Sequence, residues 1–176
     1  SMREQVNVLV IDDEEVVLQS VRKVLKPDEE HEFLIDTALS PTEGLSLLST
    51  EKYDVIVTDL MMPGIDGLEL IDRVRQVDRE TRVIMITGYA TMRTALQALR
   101  KGAFDYIAKP FTKEELRTVV KNAARAKKSV VGAEKQEEIS AVAGEFRSFF
   151  NQTYARVLPD GTMHFGIDPA FLSTIG

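Results

Sequence analysis

The chain has 176 residues, 44% hydrophobic and 28% charged, with a formal net charge of −6 and no cysteine. That is the composition of a soluble globular protein, with room for one ordinary domain and something small beside it. It excludes disulfides and thiolate metal sites, argues against general nucleic-acid binding, and holds no apolar run near the ~20 residues that span a bilayer.

In chain order, "VNVLVIDDE" (6–14) is a continuous apolar run ending in acids, which predicts a strand buried on both faces. "EVVLQSVRKVLK" places Val17, Leu18, Val21, Val24 and Leu25 at helical spacing, with Pro27 as the stop. "EFLIDTAL" (32–39) predicts a second strand. Ser40, Pro41 and Glu43 then have the cap, first-turn and capping-box positions of a second helix. "YDVIVTD" (53–59) and "TRVIMIT" (81–87) are strands, with "GLELIDRVRQV" (67–77) a helix between them. "TMRTALQALRKG" (91–102) is a helix ended by Gly102, and "AFDYIA" (103–108) a fifth strand. The fifth helix, "TKEELRTVVKNAARAKK" (112–128), has Thr112 and Glu115 as its capping box.

Strands alternating with helices predict a parallel sheet covered on both faces, with ligands outside the carboxyl ends of its strands. Polar residues gather at those ends: Asp12 and Asp13 after the first strand, Asp59 on the third, Thr87 on the fourth and Lys109 after the fifth. Taken singly, each has a duller reading. An acid after a strand can cap the next helix, Asp59 before Pro63-Gly64 can be turn chemistry, and Lys109 can be a solvated charge. Likewise Thr87 can be a cap, and Tyr106 can be packing. Together they make an all-oxygen donor set suited to Mg²⁺, a lysine suited to a phosphoryl oxygen, and a hydroxyl donor. His31 and His164 fall outside this cluster. A divalent ion, a lysine and a free carboxylate suit phosphoryl transfer to a carboxylate nucleophile.

The blocks "VLVIDDE", "DVIVTDLMMPGIDGLEL", "VIMITGYA" and "GAFDYIAKPF" resemble, in order, the signature of bacterial response-regulator receiver domains over residues 5–128. The resemblance implies a flavodoxin-like, five-stranded doubly wound α/β fold with strand order 2-1-3-4-5. It implies Asp59 as phosphoacceptor, and Mg²⁺ held by Asp12, Asp13, Asp59 and the backbone carbonyl of Met61. Lys109 would pair with the phosphoryl group, Thr87 would swing to hydrogen-bond it, and Tyr106 would turn inward as the switch aromatic. Lys109-Pro110 is expected to be cis. Met61 and Tyr89 stand at the two family positions that tune dephosphorylation. Neither carries an acid or amide to orient water, which predicts a persistent phosphoryl group. The implied partner is a sensor histidine kinase or phosphotransfer protein, with a homodimer as a family habit.

Beyond the fifth helix, Lys121, Arg125, Lys127 and Lys128 form a basic end, followed by acids at Glu134, Glu137 and Glu138. Ile139, Val142, Phe146 and Phe149 continue a helical stripe, so residues 129–150 are expected to be a helical linker, broken at Gly132. Residues 151–176 hold two strand-like runs around Pro159-Asp160-Gly161, a hairpin signal. This stretch also resembles the start of glycine-cleavage H-protein-like, lipoyl-type domains through "YARV", the Asp-Gly turn and "FGIDP". No lysine follows Lys135, so no lipoyl function is assigned. No helix-turn-helix or other DNA-binding motif follows the receiver. With no signal-peptide core, and Ser1 before Met2 reading as a cloning remnant, a cytoplasmic protein is expected.

The leading expectation is a phosphorylation-operated switch. A Mg²⁺-dependent phosphohydrolase working through an aspartyl-phosphate is the alternative from another class; such enzymes usually carry a second Asp where this chain has Met61. A receiver that only binds protein is the third, and the intact acidic and lysine set speaks against it.

Overall fold

A computed structural model describes residues 2–129, 145–148, 153–157 and 163–167. The chain divides into two compact units, residues 1–129 and 130–176.

The first unit alternates strand and helix: β1 (Glu4–Ile11), α1 (Glu15–Val24), β2 (His31–Ala38), α2 (Pro41–Thr50), β3 (Val55–Asp59), α3 (Gly67–Val77), β4 (Arg82–Thr87), α4 (Met92–Arg100), β5 (Asp105–Ala108) and α5 (Lys113–Ser129). The sheet has the order β2-β1-β3-β4-β5, and every pairing in it is parallel. This is the doubly wound, flavodoxin-like order expected from the sequence. α1 packs on α5, while α2 meets α3 and α3 meets α4, so helices cover both faces.

Burial explains why the strands are apolar without alternation. Val8, Leu9 and Val10 are all inaccessible, and so are Val55, Ile56 and Val57. Leu9, Ile11, Ile56, Val83 and Met85 join Leu70, Ile71 and Val74 of α3 in one core cluster. Each such side chain contributes about 1.5–3 kcal/mol on leaving water. That burial fixes the register. In it Ile11 sits opposite Thr58, Asp59 opposite Ile86, and Thr87 opposite Ala108. The polar strand ends are thereby brought level along one edge.

The helix starts follow their capping residues. Ser40 accepts from the Glu43 amide, Asp66 from Glu69, and Thr91 from Thr94. Thr112 and Glu115 exchange hydrogen bonds of 3.2 and 3.1 Å. Gly102 has φ +99°, the left-handed conformation in which a helix ends most cheaply on glycine.

The second unit departs from expectation. Residues 145–148, expected to continue a helical linker through Phe146, form a strand, β6 (Glu145–Ser148). It pairs antiparallel with β7 (Thr153–Val157), which pairs antiparallel with β8 (Met163–Ile167). "EFRS" holds a single apolar residue and so carries no period of its own; cross-strand pairing decides the outcome. The two strand-like runs of the tail are therefore present. The remainder of the linker stripe (Ile139, Val142, Phe149) and the turn at 159–161 lie outside the described residues, as do Gly132 and Glu134–Glu138.

Candidate phosphoacceptor site

Asp12 lies one residue beyond β1, where its amide still donates to Ala38 of β2 at 3.1 Å. Its side chain is fully buried. One oxygen, Oδ1, accepts the Glu14 amide at 2.9 Å, and the other accepts Lys109 Nζ at 2.9 Å. Asp59 ends β3, where all five residues are buried, and its Oδ2 accepts the same Nζ at 2.9 Å. Its Oδ1 accepts the Met61 amide at 3.3 Å. Asp13 is exposed beside them. One carboxylate oxygen from each of Asp12, Asp13 and Asp59 lies within 4.8 Å of the others.

Lys109 is held to this place by its backbone as well as its charge. Its amide donates to Thr87 O at 2.8 Å, and the Lys109–Pro110 peptide is cis. Burial works to lower the Lys109 ammonium, but the hydrogen bonds it donates to Asp12 and Asp59 overcome it and the ammonium lies above its ordinary value. Burial pushes the Asp12 carboxyl up, against the opposing pull of Lys109 and the Glu14 amide; nearby Asp59 adds to the rise. One lysine thus leaves a buried carboxylate short of positive charge. An acidic, all-oxygen pocket with that deficit fits a hard divalent cation.

The remaining strand-end residues face other partners. Thr87 is fully buried at the end of β4, and its Oγ1 accepts the Tyr89 amide at 3.1 Å rather than meeting a carboxylate. Tyr106 packs half-buried against the core, and its hydroxyl pairs with Thr94 Oγ1 of α4 at 2.7 Å. Met61 and Tyr89 are 55% and 71% exposed. The predicted set therefore separates into two groups. Asp12, Asp13, Asp59 and Lys109 are brought together; Thr87 and Tyr106 are not bonded to them.

Two features of the site escape a reading of the sequence. Thr94 as the partner of Tyr106 is one; its only sequence signal is the three-residue spacing from Thr91. The other is an open surface groove of about 310 Å³ lined by Val16, Val17, Ser20 and Val24 of α1 with Lys109, Pro110 and Phe111. Lys109 lines this groove and the acid pocket alike.

The family model for the response regulator receiver domain matches residues 8–121. The chain belongs to this family. It is 29% identical over 147 residues to the C4-dicarboxylate transport transcriptional regulatory protein DctD of Rhizobium meliloti, covering 84% of this chain and 31% of that one. This chain thus spans about a third of that relative. Among solved structures, a receiver domain protein of Clostridium thermocellum is 34% identical with a TM-score of 0.64, covering 72% of this chain and 99% of its own. A response regulator of Burkholderia pseudomallei, solved with a phosphorylated aspartic acid, a calcium ion and citrate, is 32% identical with a TM-score of 0.59, covering 71% of this chain and 72% of its own. Residues 8–121 thus form a receiver domain of the kind found in two-component response regulators. The match ends before the tail, and the likeness of residues 151–176 to lipoyl-type domains is not supported.

Proposed function

We propose that Asp59 is the phosphoacceptor of this receiver and takes its phosphoryl group from a phosphohistidine on a partner protein. A single observation carries the reading: Lys109 Nζ bridges Asp12 Oδ2 and Asp59 Oδ2 at 2.9 Å each, in a pocket that Asp13 completes. An oxygen of Asp59 attacks phosphorus, the phosphorus–nitrogen bond to the donor imidazole breaks, and the imidazole leaves to be reprotonated by water. Lys109 is close enough to Asp59 to follow the transferred group and neutralise part of its charge. Asp12, Asp13, Asp59 and the Met61 carbonyl are the groups that would hold Mg²⁺. When bound, the ion supplies charge neutralisation at the phosphoryl oxygens. In the Burkholderia response regulator the phosphorylated aspartate occurs together with a calcium ion, which supports a divalent ion beside the acceptor here.

The partner would present its histidine on a helix whose apolar face fills the groove between α1 and Phe111. Val16 is 68% exposed at its edge, and Lys109 joins the groove to the acceptor pocket, so a protein delivering a phosphoryl group to Asp59 meets this surface as it arrives. Once phosphorylated, the domain would shift population through Thr87 and Tyr106. No other chemistry is assigned to the receiver than its own phosphorylation and dephosphorylation. Intact mass after incubation with acetyl phosphate and Mg²⁺ tests the acceptor. Wild type should gain one phosphoryl group and Asp59→Asn none; a gain in both, or in neither, rules this reading out.

A further inference from the structure

The first turn of α3 sits directly on the backbone that carries the acceptor. A Cβ placed on Gly67 would lie 2.5 Å from the carbonyl oxygen of Asp59, 2.9 Å from Leu60 Cα and 2.8 Å from Met85 Sδ. Gly67 has no left-handed φ, so space rather than conformation demands glycine here. Its amide also donates to Leu60 O at 2.8 Å, closing the loop from Leu60 to Asp66 on itself. Within that loop Leu60 and Met62 are buried, and Asp66 caps α3 through the Glu69 amide at 2.8 Å. Loop and helix are therefore fixed to the strand end at a separation that only a hydrogen atom permits.

We propose that Gly67 is a positioning residue for the acceptor: its missing side chain sets the seat of Asp59 and Met61 beneath α3, and so the approach of the Asp59 carboxylate to Lys109 and Asp12. The proposal rests on Asp59 being the acceptor. Two of the three obstacles to a Cβ are backbone atoms, which cannot rotate aside as a side chain can. Any larger residue must push the end of β3 away from α3 or lift α3 from the sheet. Either motion moves the Met61 amide relative to Asp59 Oδ1, now 3.3 Å apart. Reactivity that depends on such spacing falls steeply with displacements of an ångström. Gly44 makes an instructive contrast. A Cβ there meets the Ile11 side chain at 2.3 Å, and a side chain can yield.

The test compares wild type, Gly67→Ala, and Val74→Ala, which opens a cavity two turns further along α3 without touching the acceptor loop. Three properties are measured on each: melting temperature, Mg²⁺ dissociation constant, and the amide resonances of Asp59 and Met61 in metal-free protein. The phosphorylation rate with acetyl phosphate is a fourth. Gly67→Ala should shift both amides, weaken Mg²⁺ at least tenfold and slow phosphorylation at least tenfold. Val74→Ala should lose comparable stability and leave the other three near wild type. Equal losses in both variants, or wild-type values in Gly67→Ala, overturn the proposal. Adding Met85→Ala to Gly67→Ala should not restore the amide shifts; restoration would place the obstacle in a side chain and overturn it as well. Should Gly67→Ala fail to fold, Asp66→Ala loosens the same turn by removing only its cap. It should weaken Mg²⁺ a few-fold and move the Met61 amide, and no change there is equally fatal. If wild type takes up no phosphoryl group, the acceptor reading fails first, while the metal-free resonances still report on Gly67.

Discussion

The Tyr106 hydroxyl lies 2.7 Å from Thr94 Oγ1, tying the middle of β5 to the first turn of α4. The same threonine oxygen accepts the Thr91 amide at 3.2 Å, and Thr91 returns the bond to the Thr94 amide at 3.2 Å. The Thr94 hydroxyl thus anchors α4 to the sheet and completes the capping box that Thr91 opens. α4 needs the anchor, because Ala98 is its only fully buried residue. At its other end Lys101 pairs with Asp72 of α3, and Arg75 donates to Gly102 O at 2.9 Å.

Tyr106→Phe should therefore cost about 1 kcal/mol, the worth of one part-buried hydrogen bond. Thr94→Val should cost up to about 1 kcal/mol more, since the capping-box bond from the Thr91 amide is lost too, while Thr91 remains the cap. In the double variant the Tyr106 contribution should vanish, giving a coupling of about 1 kcal/mol in urea denaturation. Amide exchange in α4 should quicken in both single variants. Strictly additive losses would show that the two hydroxyls do not act as a pair.

At Asp13, stability and Mg²⁺ binding are expected to separate. It is exposed, whereas Asp12 is buried and bonded to Lys109 and the Glu14 amide. Asp13→Asn should change the stability of metal-free protein by less than about 0.5 kcal/mol. The same change should remove most of the rise in melting temperature that Mg²⁺ produces in wild type, since a bound ion stabilises according to its affinity. Chelation of Mg²⁺ should bring wild type down to the level of Asp13→Asn. An Asp13→Asn protein that still gains as much from Mg²⁺ as wild type would remove Asp13 from the ion's ligands.

How much of this was legible in the sequence depends on whether local or distant residues decide each feature. Strand ends were legible because Asp12, Asp59 and Thr87 terminate apolar runs. Helix starts were legible through Ser40 and Thr112, whereas Thr91, read as part of the fourth helix, proves to be its cap. Boundaries set by tertiary pairing were not. β5 begins at Asp105 rather than 103, because the Ala103 amide turns back to Ala98 O and only Phe104 reaches Val83 O. α1 ends at Val24, before Pro27, with the Leu25 amide closing on Val21 O. Which of Asp12 and Asp13 is buried depends on the reach of Lys109, 97 residues away in sequence from Asp12. The β6 segment, with one apolar residue in four, shows no period of its own, and its pairing with β7 decided the outcome.

At the amino-terminal end of the sheet, Asp28 locks α5 to the loop after α1. Its Oδ2 accepts from Lys121 Nζ at 2.5 Å and Arg117 Nη2 at 2.7 Å; its Oδ1 accepts the Glu30 and His31 amides at 2.9 and 2.7 Å. Lys121, with those amides, holds the Asp28 carboxyl far below its ordinary value despite the opposing effect of burial. The unfolded chain then takes up the proton more readily than the folded one. Asp28 stabilises fully above its unfolded value, near pH 4, and loses that contribution as pH falls toward the folded value. Asp28→Asn should cost about 2 kcal/mol at pH 7, and the gap from wild type should narrow steadily below about pH 4. A gap independent of pH would mean the carboxylate charge contributes nothing.

With Asp59 as acceptor, Met61 and Tyr89 are expected to set the lifetime of its phosphoryl group. Both backbones are pinned by site residues, Met61 N by Asp59 Oδ1 at 3.3 Å and Tyr89 N by Thr87 Oγ1 at 3.1 Å. Met61 therefore starts beside the acceptor carboxylate, at the mouth of the pocket, and both residues are largely exposed. Neither is an acid or amide that could orient a water for attack on phosphorus, and both are bulky. Phosphorylated wild type should therefore decay slowly once acetyl phosphate is removed. Met61→Asn introduces an amide at that mouth without disturbing the backbone bond, and should speed the loss about tenfold, equivalent to about 1.4 kcal/mol in the barrier. Decay is followed by intact mass over time in Mg²⁺. Equal lifetimes in the two proteins would show that the side chain at position 61 does not govern access of water, leaving Tyr89 as the residue to vary next.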